Sequence, residues 1–184
     1  GAGRKLIQTS ATPITAPIVV TNATLDGTGT GNGVTVGAGT GGAISNGNGT
    51  TGALTASSLA FTGASVANFT LAGGATTSAG VFVTSALSTA GSNTVTVDVT
   101  PASPWVNGTT YKLIDYTGGT YTGSAGVNAG AGAGDFLKGT IGLLSARQTA
   151  ALGNSGSAIT LTITGQTPVW TGKNGGVNDA NWTT

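Results

Sequence analysis

Side chains able to do acid–base or nucleophilic chemistry are scarce in this sequence. The 184 residues include no His and no Cys, and the five acidic residues are all aspartates. A Ser–His or Cys–His nucleophile is therefore excluded, as is a zinc site of the usual His and Cys ligands. Two aspartates brought together by the fold are the remaining arrangement for acid–base work. We predict that the chain is not an enzyme and holds no cofactor and no metal. The aspartates are Asp26, Asp98, Asp115, Asp135 and Asp179.

One segment late in the chain, Asn174-Gly175-Gly176-Val177-Asn178-Asp179, offers oxygen atoms to a calcium ion. Calcium takes Asp and Asn side chains and backbone carbonyls as ligands. The segment lacks the repeated aspartates of a dedicated calcium loop, and Asn, Asp and Gly are also the residues typical of turns. We favour the turn and keep calcium as the alternative.

Two tryptophans, Trp170 and Trp182, are twelve residues apart near the end of the chain. Indole rings stack on sugars, but they also seal the end of a core or pack in an interface. We favour packing over sugar binding for this pair.

Five Asn-x-Thr sequences match the acceptor motif for N-glycosylation. Such matches arise by chance in a chain rich in Asn and Thr, so we expect them to be unmodified. They begin at Asn22, Asn48, Asn68, Asn107 and Asn181.

Charge and hydropathy exclude two further kinds of partner. The formal net charge is +1, and Arg4-Lys5 is the one adjacent pair of bases, so the sequence predicts no nucleic-acid binding. The apolar runs, such as Ala16 to Val20, are only a few residues long, whereas a membrane-spanning helix needs about 20. The chain begins Gly1-Ala2-Gly3, and we expect it to be a piece of a longer exported protein whose signal has been lost.

The elements that must position these residues are predicted to be short β-strands. Alternation of apolar and polar residues recurs along the chain, separated by turn residues such as Asn46-Gly47-Asn48-Gly49, Gly73-Gly74, Asp26-Gly27 and Gly31-Asn32-Gly33. One helix of at most two turns is predicted between Leu143 and Leu152, capped by Ser145. The predicted strands lie at 18–20, 23–25, 33–36, 42–45, 53–55, 58–61, 65–71, 81–83, 94–99, 110–116 and 158–163.

The spacing of these strands predicts an all-β fold. Between residues 18 and 100 a new strand comes about every 8 to 12 residues, which suits a sandwich or the coils of a solenoid. Short strands, Gly and Asn corners and small Ala, Ser and Thr residues favour a solenoid-like stack. The alternative is a β-sandwich with Greek-key or donated strands, in which Ile14 to Val20 pairs with the open edge of a neighbour.

A change in composition near residue 100 predicts that the chain has two regions. Residues 1–100 form the repetitive β-stack, and 101–184 form a hairpin-rich continuation, with Pro101, Pro104 and Trp105 near the boundary. The Gly- and Ala-rich segment from Gly123 to Gly134 is predicted to be a loop. One continuous domain is the alternative.

Two segments resemble autotransporter-associated β-strand repeat proteins, also called passenger-associated transport repeat proteins. The first has the order "L-x-G-x-G-T, V-T-V, G-x-L-x-x-G-N, G-x-L-T", and the second resembles the unit end "Y-x-L-I-x-Y-x-G, W-x-G, N-W". The resemblance implies a long, exported bacterial surface protein with a right-handed parallel β-helix and no catalytic residues. The matching residues are Leu25 to Thr30, Val34 to Val36, Gly41 to Asn48, Thr51 to Thr55, Tyr111 to Gly118, Val169 to Gly172 and Asn178 to Trp182.

Together these observations predict an extracellular structural protein of the bacterial cell surface, an adhesin-like passenger segment. Its expected partners are other copies of itself or adjacent repeats, and self-assembly into a fibre or surface layer is a further expectation. The alternative function is a β-module that binds a surface glycan or a host surface.

Overall fold

A computed structural model describes residues 4–38, 41–75, 77–90, 95–123 and 135–165, with the backbone of 127–128, 173–174 and 177–178. These residues form seventeen β-strands and one 3-10 turn at Gly47–Gly49. The strands are β1 (Lys5–Gln8), β2 (Ile18–Val20), β3 (Thr24–Gly27), β4 (Thr30–Val36), β5 (Ala43–Ser45), β6 (Leu54–Phe61), β7 (Ser65–Leu71), β8 (Val81–Thr89), β9 (Val95–Pro101), β10 (Thr110–Asp115), β11 (Thr120–Thr122), β12 (Val127–Asn128), β13 (Phe136–Ile141), β14 (Gln148–Asn154), β15 (Ala158–Gly165), β16 (Lys173–Asn174) and β17 (Val177–Asn178).

Successive strands from β1 to β10 alternate between two sheets. The first sheet has the order β1-β3-β5-β7-β9-β13-β12, and the second has the order β14-β15-β10-β8-β6-β4-β2, with β11 also beside β8. Each strand from β3 to β10 pairs in parallel with the strand two places before it. In the second sheet the pairing becomes antiparallel where β15 joins β10 and β14 joins β15, and β16 and β17 form a separate antiparallel pair. The predicted all-β fold is confirmed.

The two sheets enclose one apolar core, a sandwich-like arrangement. Residues alternate between core and surface, so that Ala67, Phe69 and Leu71 of β7 are buried while the residues between them are partly exposed. Parallel pairing aligns the buried side chains into continuous rows across each sheet. The row in the first sheet is Leu25, Ile44, Ala67 and Val97, and the row in the second is Ile18, Val34, Leu59 and Leu87.

The interval between residues of a row is not constant. In the first sheet Ile44 follows Leu25 by 19 residues, Ala67 follows by a further 23, and Val97 by a further 30. The strands keep their register while the connections between them lengthen. The period of roughly 20 residues typical of short repeats therefore describes only the early part of the stack.

A buried asparagine fixes one of the corners between the sheets. Asn46 is fully buried, and its amide nitrogen donates to the carbonyls of Gly52 (2.7 Å) and Thr70 (2.9 Å). Its amide oxygen accepts from the backbone N–H of Thr70 at 2.8 Å. The predicted turn at Asn46–Gly49 is confirmed, since Asn48 has φ of 48° and Gly47 has φ of 76°.

Two of the predicted turns are wrong or displaced. Gly31 and Gly33 lie inside β4 and pair with Ala56 and Ser58. Glycine is suited to Gly31 because a Cβ there would stand 3.2 Å from Cδ1 of Ile18, the neighbouring strand's core residue. Asp26 and Gly27 are the last two residues of β3, and the chain bends after them at residues 28–29.

The predicted helix between Leu143 and Leu152 is wrong. The second half of this segment, from Gln148 to Leu152, belongs to β14, which pairs with β15 along its whole length. Ala150 and Leu152 are buried while Thr149 and Ala151, which alternate with them, are exposed, a two-residue period. Tertiary pairing overrides the local helix preference of its Gln, Ala and Leu residues.

The predicted boundary near residue 100 stays a prediction. The core continues across it, because Val99 and Leu113 belong to the same buried cluster. Most of the predicted loop Gly123 to Gly134 lies outside the described residues, apart from Gly123 and strand β12.

Candidate functional site

The four described aspartates lie at four separate places, each with its own donors. Asp26 is in β3 and Asp115 ends β10. Asp98 in β9 accepts a hydrogen bond from the backbone N–H of Thr140 at 2.6 Å. Because each of these carboxylates is held by its own set of donors, the arrangement is that of structural aspartates. Among the described residues no group of three or more His, Cys, Asp or Glu side chains lies close enough to hold a metal ion.

Asp26 forms a partly buried ion pair with Lys5 of β1. The ammonium lies 2.6 Å from Oδ2, with the Asp26 side chain 3% exposed and that of Lys5 41% exposed. Oδ1 accepts from the backbone N–H groups of Gly27 (2.6 Å) and Asn48 (2.9 Å). The Lys5 ammonium also donates to the Asn48 side chain at 3.0 Å. The carboxylate therefore ties β1, β3 and the corner at Asn48 together.

Asp135 is the most buried of the carboxylates. Tyr121 donates its hydroxyl to Oδ2 at 2.7 Å, and Thr89 donates to the same oxygen. Burial raises the pKa of Tyr121 above its ordinary value of 10.0; the hydrogen bond with Thr89 opposes this, and the Asp135 carboxylate raises the pKa further. A tyrosine with a raised pKa stays protonated at neutral pH, so it serves here as a hydrogen-bond donor.

Asp115 ends β10 and is held by two donors. The Lys112 ammonium lies 2.7 Å from Oδ2, and Thr117 donates its N–H (2.9 Å) and its hydroxyl (2.6 Å) to Oδ1. Partial burial acts to raise the pKa of Asp115, but the hydrogen bonds from Lys112 and Thr117 and the charge of Lys112 outweigh it. The pKa lies below the ordinary value of 3.8. A carboxylate stabilised in its ionised form is a poor general acid.

A cleft on the outer face of the second sheet is a concave site in the described part of the chain. Its volume is about 400 Å³. Asn32 organises it: the side-chain amide donates to the carbonyl of Thr15 at 2.8 Å and accepts from the Ser57 hydroxyl at 2.7 Å. No charged residue lines it and most of its exposed surface is apolar, so it suits a neutral ligand with an apolar face. The lining residues are Pro13, Thr15, Thr30, Gly31, Asn32, Thr55, Ser57 and Thr84.

Sequence reasoning missed this cleft, because its residues are separated by up to about 70 positions and were interpreted as strand surface or turn. The signal available was the alternation of hydroxyl residues along β6, where Thr55 and Ser57 flank the buried Ala56. Parallel pairing places Thr30 beside Thr55, which no local pattern shows.

The predicted calcium segment and the two tryptophans fall largely beyond the described residues. Of Asn174 to Asp179, the backbones of Asn174, Val177 and Asn178 are described, in the hairpin β16–β17. Trp170 and Trp182 lie outside the described residues.

The asparagines of the five Asn-x-Thr sequences lie in different structural environments. Asn22 and Asn48 have positive φ. The Asn48 side chain accepts from Lys5, and that of Asn107 accepts from Gln148 at 2.8 Å. Asn68 is partly exposed on the outer face of β7, and Asn181 lies outside the described residues.

Comparison with known proteins gave no match. No family model matches the chain, and no curated protein and no solved structure matches it. Within the described residues, no helix has the length and apolarity required to cross a membrane.

Proposed function

We propose that this chain is a structural segment of an exported bacterial surface protein, built as a right-handed parallel β-helix that acts as a rigid scaffold. The observation that carries the proposal is the alternation of strands between two sheets, each strand pairing in parallel with the one two places before it. A chain that winds in this way forms a stiff stack with a continuous apolar core, and a longer chain forms a longer stack.

The surface composition supports an extracellular scaffold. The outer positions of β4 and β6 carry Thr30, Thr35, Thr55 and Ser57, and only 6% of the whole chain is charged. Hydroxyl side chains keep the outside hydrated without creating a field that attracts nucleic acid. A scaffold of this kind functions through stiffness and backbone pairing and has no catalytic step.

The resemblance to autotransporter-associated repeats supports export. The residues that carry it lie on stacked strands: Leu25 in β3 precedes Val34 to Val36 in β4, and Leu54 begins β6. The motif positions Leu25, Val34 and Leu54 are all buried in the core. The repeated motif therefore supplies the apolar interior that a stacked, passenger-like segment needs.

The location is tested on intact cells of the source bacterium. Antibodies against the folded chain should label unbroken cells, and external protease should remove the signal while a cytoplasmic marker survives. Protection of the chain until the cells are lysed contradicts the proposal. The scaffold itself is tested with the purified chain, which should show β-sheet circular dichroism and resist protease at neutral pH.

A second candidate function, binding of a neutral surface glycan, is favoured by the cleft around Asn32. A volume of about 400 Å³ is at the small end of the range for ligand sites. The exposed surface of the cleft is mostly apolar, which suits the C–H face of a sugar ring, and the Asn32 amide keeps one donor for a sugar hydroxyl. A glycan array probed with the wild-type chain, with Asn32→Ala and with the control Asn68→Ala on the opposite sheet tests it. Binding that only Asn32→Ala removes supports this function, and an array with no signal excludes it.

A further inference from the structure

The cleft around Asn32 is built from two rows of side chains on the outer face of the second sheet. The inward-facing line that orders them is Ile14, Gly31, Ala56 and Val83, each paired in parallel with the next. Side chains alternate between the two faces along a strand, so the residues before and after each member of this line point outward. One row is Pro13, Thr30, Thr55 and Phe82, and the other is Thr15, Asn32, Ser57 and Thr84.

Phe82 extends these rows beyond the lining of the cleft. The other seven members of the two rows all line it. Phe82 ends the first row, beside Thr55 of β6 and two residues before Thr84 of its own strand. Its side chain is 38% exposed, and of the aromatic side chains that the structure describes it is the exposed one. An exposed phenyl ring therefore stands at the edge of a mostly apolar cleft.

A β-bulge in β8 lies at the same place. Between its pairings with Ala56 and Ser58 of β6, β8 contains one extra residue. Thr84 and Ser85 are both exposed although they are consecutive in the strand. Bulges turn side chains away from the regular alternation and are frequent next to functional sites. The bulge therefore adds a second hydroxyl group at the rim of the cleft.

The charged groups nearest to Phe82 neutralise each other. None of the eight residues in the two rows is charged. On the side of Phe82 away from the cleft, its partner in β10 is Asp115. The Asp115 carboxylate forms an ion pair with Lys112 at 2.7 Å. An anionic or cationic ligand would therefore find no free countercharge in these rows, and the lining favours a neutral ligand.

We propose that the cleft binds a neutral oligosaccharide laid across the strands, with one sugar ring stacked on Phe82 and another held by the Asn32 amide. The C–H face of a sugar ring is apolar and packs on the face of an aromatic ring, while the sugar hydroxyls take amide and hydroxyl partners. The Asn32 amide nitrogen uses one hydrogen for the carbonyl of Thr15 and has a second for the ligand. The inference deepens the second candidate function, rests on it, and names the class of glycan and the residue that recognises its ring.

The spacing of the strands sets the length of the ligand. Asn32 in β4 and Phe82 in β8 are separated by one strand, β6. Two strand spacings place their backbones about 10 Å apart. A single pyranose ring is too short to contact both side chains at once, whereas two or three linked rings reach from one to the other. The expected ligand is therefore a disaccharide or a longer chain.

An array of neutral mono-, di- and trisaccharides, with sialylated and sulfated forms beside them, tests the role of Phe82. The wild-type chain should bind neutral di- and trisaccharides at least about tenfold more strongly than monosaccharides. Phe82→Ala should lower this signal at least about tenfold, whereas Phe82→Tyr keeps an aromatic face and should stay within about twofold of wild type. The control is Val106→Ala, at an exposed valine between β9 and β10, which should leave the signal unchanged.

The outcomes separate this inference from the functions it rests on. Circular dichroism verifies the β-sheet of each variant, and Phe82→Leu, which keeps apolar bulk without the ring, takes the place of Phe82→Ala where that variant unfolds. A signal that Asn32→Ala removes and Phe82→Ala leaves unchanged overturns the stacking role while glycan binding stands. Binding of charged glycans alone, or equal binding of mono- and trisaccharides, also overturns the inference. An array with no signal excludes both the inference and the glycan function and leaves the scaffold function standing.

Discussion

Tyr121 donates its hydroxyl to the Asp135 carboxylate across 2.7 Å, in a chain where Asp135 is fully buried. Thr89 at the end of β8 donates to the same oxygen, so the carboxylate links β8, β11 and the start of β13. Strand β11 has three residues and, among the described strands, pairs with β8 alone, so this side-chain cluster helps to hold it in place.

We expect Tyr121→Phe to lower the free energy of unfolding by about 1–2 kcal/mol, because a buried carboxylate loses one of its donors. Urea unfolding followed by circular dichroism measures the change. Thr122→Val, an exposed substitution on the same strand, is the control and should stay within about 0.5 kcal/mol of wild type. A Tyr121→Phe variant as stable as the control contradicts this role for the hydroxyl.

Stability should fall at alkaline pH. Burial raises the pKa of Tyr116 and of Tyr121 above 10.0 in the folded chain, with the Asn154 bond opposing it at Tyr116. Their contribution to stability is fully present below pH 10, the unfolded pKa, and is lost as pH rises through the higher folded values. The urea midpoint should therefore be flat from pH 7 to 9 and should decline above pH 10.

Tyr121→Phe is the matched variant for this pH dependence. It removes one of the two raised groups, so its decline above pH 10 should be shallower than that of the wild type. A wild-type midpoint that rises above pH 10 shows that the sign of the effect is wrong.

The Asp26 carboxylate should contribute more to the free energy of unfolding than its partner Lys5. Asp26→Ala leaves the buried N–H of Gly27 without its acceptor, at a cost of about 1–3 kcal/mol, and also removes the acceptor of the N–H of the exposed Asn48. Lys5→Ala removes a half-exposed ammonium while both backbone hydrogen bonds remain, and we expect about 0–1 kcal/mol. Urea unfolding of the two variants gives the ranking, and the reverse order would falsify this account of the cluster.

The apolar rows should carry most of the stability. Leu59 is fully buried between Val34 and Leu87 in the second sheet. Leu59→Ala should cost about 2–5 kcal/mol through lost burial and the cavity left behind. Ala60→Ser, the next residue on the partly exposed face, should change the free energy of unfolding by less than about 0.5 kcal/mol. Similar losses in both variants contradict the assignment of the two faces.

Much of the strand pattern was predictable from local alternation. Ten strands of the structure overlap predicted segments, and the two segments predicted at 53–55 and 58–61 merge into β6. The strand continues across Ser57 and Ser58, where a bulge against β8 shifts the alternation by one residue. A local break in the apolar pattern was therefore interpreted as a gap between strands.

The missed elements depend on distant partners. Strand β14 has a helical composition and becomes a strand only because β15 pairs with it. Strand β1 has no alternating core pattern of its own, since only Gln8 in it is buried. The hydrogen bonds of Asn46 to Thr70 join residues 24 positions apart, so its structural role was not visible in a residue interpreted as part of a turn.

The lengthening intervals between stacked core residues have a consequence for how this chain tolerates change. The rows require only that Leu25, Ile44, Ala67 and Val97 meet in register, and sequence separations of 19, 23 and 30 residues, each including a strand of the other sheet, satisfy that equally. Doubling a flexible connection costs only about 0.6 kcal/mol of closure entropy. Segments inserted at the corners would therefore leave the apolar core unaltered. The loops at the surface can then change in length and sequence while the stacked strands stay in place.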